Sequence, residues 1–225
     1  MALFRRLEVL NKIISSGLVP IFYEADPSLA SEIFKACAKG GAEVIEMTNR
    51  GDQAIEVFKV LAQFRQLEYR KVALGVGSIV DAPTAALYIN AGADFIVGPV
   101  LDRDTAILCN KRKIAYLPGC ATASEIHEAE SLGVEICKIF PADLLGGPEF
   151  VKALKAPCPW ISLMPTGGVE PSRESLSAWF KAGVVAVGIG SKLISKEIVR
   201  QRDFQALTEA VKITLSLIAE LRQEL

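Results

Sequence analysis

Short apolar runs alternate along this chain with longer stretches whose apolar residues recur at helical spacing. The runs are LVPIFY (18–23), VIEMT (44–48), KVALGVGS (71–78), FIVGPV (95–100), IAYLPG (114–119), EICKIF (135–140), WISLMPTG (160–167) and VVAVGIGS (184–191). Each has strand length and is bounded by glycine, proline or polar turn residues. Between them the spacing predicts helices over 26–39, opened by the cap signal Asp26-Pro27-Ser28, and over 53–68, 82–90, 102–111, 122–132, 148–155 and 171–182. A last helix over 203–222 closes the chain. Ahead of the first run, MALFRRLEVLNKIISSG is interrupted by Glu8, Asn11 and Lys12 at helical spacing, which predicts an amphipathic helix.

Eight strand-like runs alternating with helices predict an α/β protein with a parallel sheet covered by helices. Eight is the count of a (β/α)8 TIM barrel, here with an extra N-terminal helix and one domain over 1–225. Four joints repeat one device, a glycine ending the helix just before the next strand: Gly41-Ala42, Gly92-Ala93, Gly133-Val134 and Gly183-Val184. An open doubly wound sheet is the competing architecture. It would carry a glycine-rich fingerprint after the first strand, and LVPIFYEADP has none.

Composition narrows the function more than the fold. Hydrophobic residues make up 51% of the 225 residues against 23% charged, enough for a large core. A net charge of −1, spread along the chain, argues against nucleic acid or an anionic membrane surface as partner, and no apolar run nears the ~20 residues of a bilayer span. The expected partner is a small molecule. Five scattered cysteines without a C-x-x-C pair, and one histidine, predict reduced thiols, no metal site and a cytoplasmic setting.

If the strands form a barrel, the chemistry belongs at their C-terminal ends, which are polar here. Lys138 stands inside VEICKIFPAD, where desolvation would lower its pKa and supply a neutral amine for Schiff-base chemistry. The alternative is a lysine on an edge strand, or one whose stem carries its head to solvent. Glu46 lies inside VIEMT, where a carboxylate is costly unless it is paired or works as an acid/base group. Its structural alternative is an ion pair with Lys138 or Arg50. Arg50 is either a surface residue or a fork for a substrate carboxylate. Thr166-Gly167-Gly168-Val169 and Gly188-Ile189-Gly190-Ser191 follow the last two strands, where backbone N–H groups of barrels commonly meet a phosphate, with a helix start beyond the second loop. Tight turns are the alternative. His127, on a helix, and Trp160 and Trp179, as packing or interface residues, are assigned no chemistry.

The segments GGAEVIEMTNRG, YLPGCATASE, CKIFPADLLGG, LMPTGGV and GIGSKL resemble the 2-keto-3-deoxy-6-phosphogluconate (KDPG) and 2-keto-4-hydroxyglutarate (KHG) aldolase family over most of residues 7–220. The resemblance implies a metal-free, cofactor-free class I aldolase with Lys138 as the Schiff-base lysine and Glu46 as general acid/base. It implies that Arg50 and Ser78 hold the pyruvyl carboxylate and that Pro99, Phe140 and Thr166 line the pocket. Gly167, Gly168, Gly190 and Ser191 would bind phosphate, and the assembly would be a homotrimer. Two segments depart from the family pattern. Gly77-Ser78-Ile79-Val80 stands where G-T-V-L is usual, and Gly98-Pro99-Val100 where S-P-G is usual. Both border the substrate pocket, so they bear on which substrate is used more than on the mechanism. A phosphosugar epimerase or isomerase, and a non-catalytic phosphosugar-binding barrel, are the alternative functions.

Overall fold

The computed structural model describes residues 2–224. Helix α1 (Arg6–Ser16) leads into β1 (Leu18–Phe22), α2 (Pro27–Lys39), β2 (Val44–Thr48), α3 (Ala54–Glu68) and β3 (Ala73–Gly77). Then come α4 (Ala82–Ala91), β4 (Phe95–Val97), α5 (Arg103–Arg112), β5 (Ala115–Leu117), β6 (Gly119–Cys120) and α6 (Ala123–Ser131). The chain continues through β7 (Cys137–Ile139), α7 (Pro148–Lys155), β8 (Leu163–Pro165), α8 (Arg173–Lys181) and β9 (Val187–Ile189), and ends with α9 (Lys196–Gln201) and α10 (Phe204–Gln223). The Asp26 cap signal and the helix-ending glycines act as expected, and the structure adds a capping box on α6. Asp26 accepts the N–H groups of Ser28 and Leu29 with Pro27 at the first helical position, and Thr122 and Glu125 form a capping box. Gly41, Gly92, Gly133 and Gly183 all take the positive φ that ends a helix without a Cβ clash.

Every strand pairing is parallel, and the side chains divide with the period of 2 that strands impose. Ile45, Met47, Leu74, Val76, Ile96, Cys137 and Ile139 join the larger core beneath the helices. Val19, Val44, Ala73, Phe95, Ala115, Ile136 and Ala186, near the strand starts, form a second apolar cluster with Val9, Leu10 and Ile13 of α1. The N-terminal helix therefore covers the end of the sheets where the strands begin. Going up the same face, Glu46 and Thr48 follow Val44, and Lys138 follows Ile136. The interior passes from apolar at the strand starts to polar at the strand ends.

The expected single eight-strand ladder is not formed. The hydrogen bonds divide into a six-stranded sheet, β5-β4-β3-β2-β1-β9, and a three-stranded sheet, β6-β7-β8. One apolar run, IAYLPG, splits at Pro118, which lacks an N–H; β5 before it pairs with β4, while β6 after it pairs with β7. The Pro118 carbonyl still accepts the Lys138 N–H at 2.9 Å. At the other seam, β8 and β9 meet through one bridge, Thr166 with Gly188, and a 3.0 Å bond from the Val185 N–H to the Leu163 carbonyl. Helix α9 follows the second glycine loop, where a helix start is expected, though the sequence assigns it no bounds. Its six residues, KEIVRQ, carry too little apolar periodicity, and the Ser195 hydroxyl accepts the Ile198 N–H to start it. Trp179 is buried, whereas Trp160 is 69% exposed, ahead of the strand that the run WISLMPTG forms.

Candidate active site

Strand periodicity turns Glu46 and Lys138 to the interior, where they are 1% and 5% exposed. Lys138 is not at an edge, since β7 is the middle strand of its sheet. Its Nζ lies 4.6 Å from the centroid of the Phe140 ring, a cation–π contact that holds the amine without neutralising it. Burial lowers the Lys138 pKa, an effect that the Arg50 charge reinforces and the Glu46 charge opposes. The Glu46 pKa is raised by burial against the pull of Lys138 and Arg50. Among the described residues Glu46 Oε2 has no hydrogen-bond partner and no ion pair joins this carboxylate to Lys138 or Arg50. The purely structural ion pair is therefore absent. A buried carboxylate with an unfilled oxygen beside a buried amine is a pair poised to trade protons with a third group.

A cavity of about 760 Å³ opens at these strand ends. It brings together Arg50, Phe140, Thr166, Gly167, Gly168, Gly190 and Ser191, residues from four separated segments. Ser78 and Pro99 lie beyond the ends of β3 and β4, outside the walls of this cavity, and Glu46 and Lys138 stand behind its lining, their neighbours Thr48 and Phe140 forming the wall. Among the described residues Thr166 Oγ1 is buried there without a partner. Gly167 and Gly168 both have positive φ, and a Cβ on Gly168 would sit 2.2 Å from Cβ of Asp143, so the loop needs glycine for conformation and for space. After Ser191 the chain makes a turn closed by the Ile194 N–H on the Gly190 carbonyl (2.9 Å) before α9 begins. His127 is exposed on α6, all five cysteines are free thiols, and no cluster of metal-ligating side chains occurs among the described residues.

Sequence reasoning missed several participants. Gly77 is one: a Cβ there would fall 1.7 Å from Glu46 Oε1, so the carboxylate occupies the space above a glycine of the neighbouring strand. The registry of β2 with β3 creates this contact, and no motif marks it. Tyr88 is another, its hydroxyl donating to Asn49 Oδ1 at 2.7 Å, next to Arg50. Thr48 lines the cavity from β2, as do Lys196, Arg200 and Arg202 from α9 and its end. The run SKEIVRQRD could have flagged these cations, had the segment been read as part of a site.

The family model for KDPG and KHG aldolase matches residues 9–210. The 2-dehydro-3-deoxy-phosphogluconate aldolase of Pseudoalteromonas atlantica is 33% identical over 203 residues, 89% of this chain and 91% of its own. Among solved structures, the KDPG aldolase of Legionella pneumophila, with pyruvate captured as a covalent carbinolamine intermediate, superposes with a TM-score of 0.82 at 26% identity. That alignment covers 90% of this chain and 96% of the other. The aldolase of Zymomonas mobilis with 3-phosphoglycerate gives 0.80 at 25% identity, over 93% and 95%.

Proposed function

The chain belongs to the KDPG and KHG aldolase family, and on that premise we propose that it cleaves 2-keto-3-deoxy-6-phosphogluconate to pyruvate and glyceraldehyde 3-phosphate through an iminium on Lys138. Cleavage of 4-hydroxy-2-oxoglutarate to pyruvate and glyoxylate is the companion activity of the same site. The observation that carries the reading is the pairing of a buried amine of lowered pKa with a buried carboxylate that lacks a partner.

The neutral Lys138 amine attacks the C2 ketone, and loss of water from the carbinolamine leaves an iminium. Glu46 removes the C4 hydroxyl proton as the C3–C4 bond breaks, and the bonding electrons flow into the iminium to give an enamine. The aldehyde departs. Protonation at C3 and hydrolysis then release pyruvate and restore the amine. Arg50 and Ser78 take the pyruvyl carboxylate in this reading, Pro99, Phe140 and Thr166 bound the pocket, and Gly167, Gly168, Gly190 and Ser191 receive the phosphate. The two sheets serve as one (β/α)8 barrel, a single domain joined across Pro118 and the Thr166–Gly188 bridge, in a cytoplasmic homotrimer such as the family usually forms.

The test is intact mass after incubation with pyruvate and borohydride, run beside Lys138→Ala. The expected result is a reduced pyruvyl adduct on the wild type and none on the variant. A folded wild type that gains no adduct would overturn the reading.

A further inference from the structure

The cavity does not end at the glycine loops. Beyond them its wall is formed by α9 and the residue that closes it, so that five cations, Arg50, Lys192, Lys196, Arg200 and Arg202, face it against one carboxylate, Glu24. Two of the five are already engaged. Lys192 pairs with Glu170 at 2.6 Å, and Arg200 takes both oxygens of Glu197 at 2.8 Å. Lys196 and Arg202 have no acidic partner within 4.0 Å among the described residues. Arg202 also holds a left-handed backbone, φ 55, uncommon for a side chain of its size. It closes α9 there, with its N–H on the Val199 carbonyl at 3.1 Å. Two unpaired cations on the outer wall of a cavity suit a ligand whose far end is strongly anionic.

We propose that Lys196 and Arg202 are specificity-determining residues. They bind the distal phosphate dianion and select phosphorylated 2-keto-4-hydroxy acids over the shorter dicarboxylate. The inference rests on the aldolase reading above and adds the substrate preference of this chain. Length supplies the discrimination. Anchored through C2 at Lys138, 4-hydroxy-2-oxoglutarate ends in a carboxylate at C5. The phosphorus of the six-carbon substrate lies three bonds beyond the equivalent carbon and carries about twice the charge near pH 7. On this proposal the longer ligand alone meets the outer cations.

The decisive measurement compares kcat/KM for the two substrates in the wild type and in the Lys196→Gln/Arg202→Gln variant. Lys181→Gln, an exposed charge on α8, is the control for net charge. The expected result is a loss of at least about tenfold for the phosphorylated substrate, carried by KM, and a fall of the same order in its ratio to the dicarboxylate. Added salt should raise KM for the phosphorylated substrate more steeply in the wild type than in the double variant. No change in the ratio, or an equal loss with Lys181→Gln, would overturn the proposal. Pyruvate trapping on the wild type reports separately whether the iminium reading stands. If it does not, calorimetric binding of glyceraldehyde 3-phosphate still decides: weaker binding by the double variant supports the subsite, and equal binding refutes it.

Discussion

Gly77→Ala is a one-methyl test of how the carboxylate is positioned. The new Cβ would lie 1.7 Å from Glu46 Oε1 and 2.6 Å from its Cδ, and real contacts of this kind do not fall below 3.0 Å. The carboxylate must therefore retreat by at least about 1.3 Å, because Gly77 is held in register opposite Thr48 by the ladder. A displacement of about 1 Å at a group in the reacting geometry can cost about 100-fold in rate. Overpacking a buried site costs about 1–3 kcal/mol of stability, which leaves a domain of this size folded. The prediction is a kcat reduced about 100-fold in a pyruvate-release assay, while pyruvate is still trapped on Lys138. Adding Gly77→Ala to Glu46→Gln should then produce little further loss, since both act on one group. A Gly77→Ala enzyme with wild-type kcat, or one whose loss multiplies with that of Glu46→Gln, would refute the positioning.

Two more expectations follow from buried charge. The amine is nucleophilic only when neutral, and Lys138 is held below the ordinary value of 10.5, so iminium formation should rise with pH to a midpoint below 10.5. In Glu46→Gln that midpoint should move lower still, because the carboxylate favours the ammonium form; a midpoint at or above 10.5 in the wild type would contradict both. Asp94→Asn should destabilise the fold by about 3–5 kcal/mol in denaturant titration. Asp94, fully buried, accepts from Arg65 at 2.6 Å and from the N–H groups of Leu74, Leu3 and Phe4, tying the start of the chain to the sheet. An unchanged midpoint would show that water replaces these bonds.

Much of this protein was legible in the chain itself. Alternation of apolar residues located the strand runs, glycines and caps located the helix ends, and both signals are local, arising within a few residues of backbone. Period 2 within VIEMT and EICKIF even implies that Glu46 and Lys138 share a face with Val44 and Ile136. What no local pattern carries is which segments touch. Pro118 splits one apolar run between two sheets because each half finds a different neighbour. The registry of β2 with β3 sets the Glu46 carboxylate over Gly77, a residue of another strand. Lys196 and Arg202 belong to no motif in the sequence, and packing of α9 beside the glycine loops makes them walls of the cavity. Residue type and spacing decide what a segment can become; long-range packing decides what each side chain meets, and the chemistry of the site depends on both.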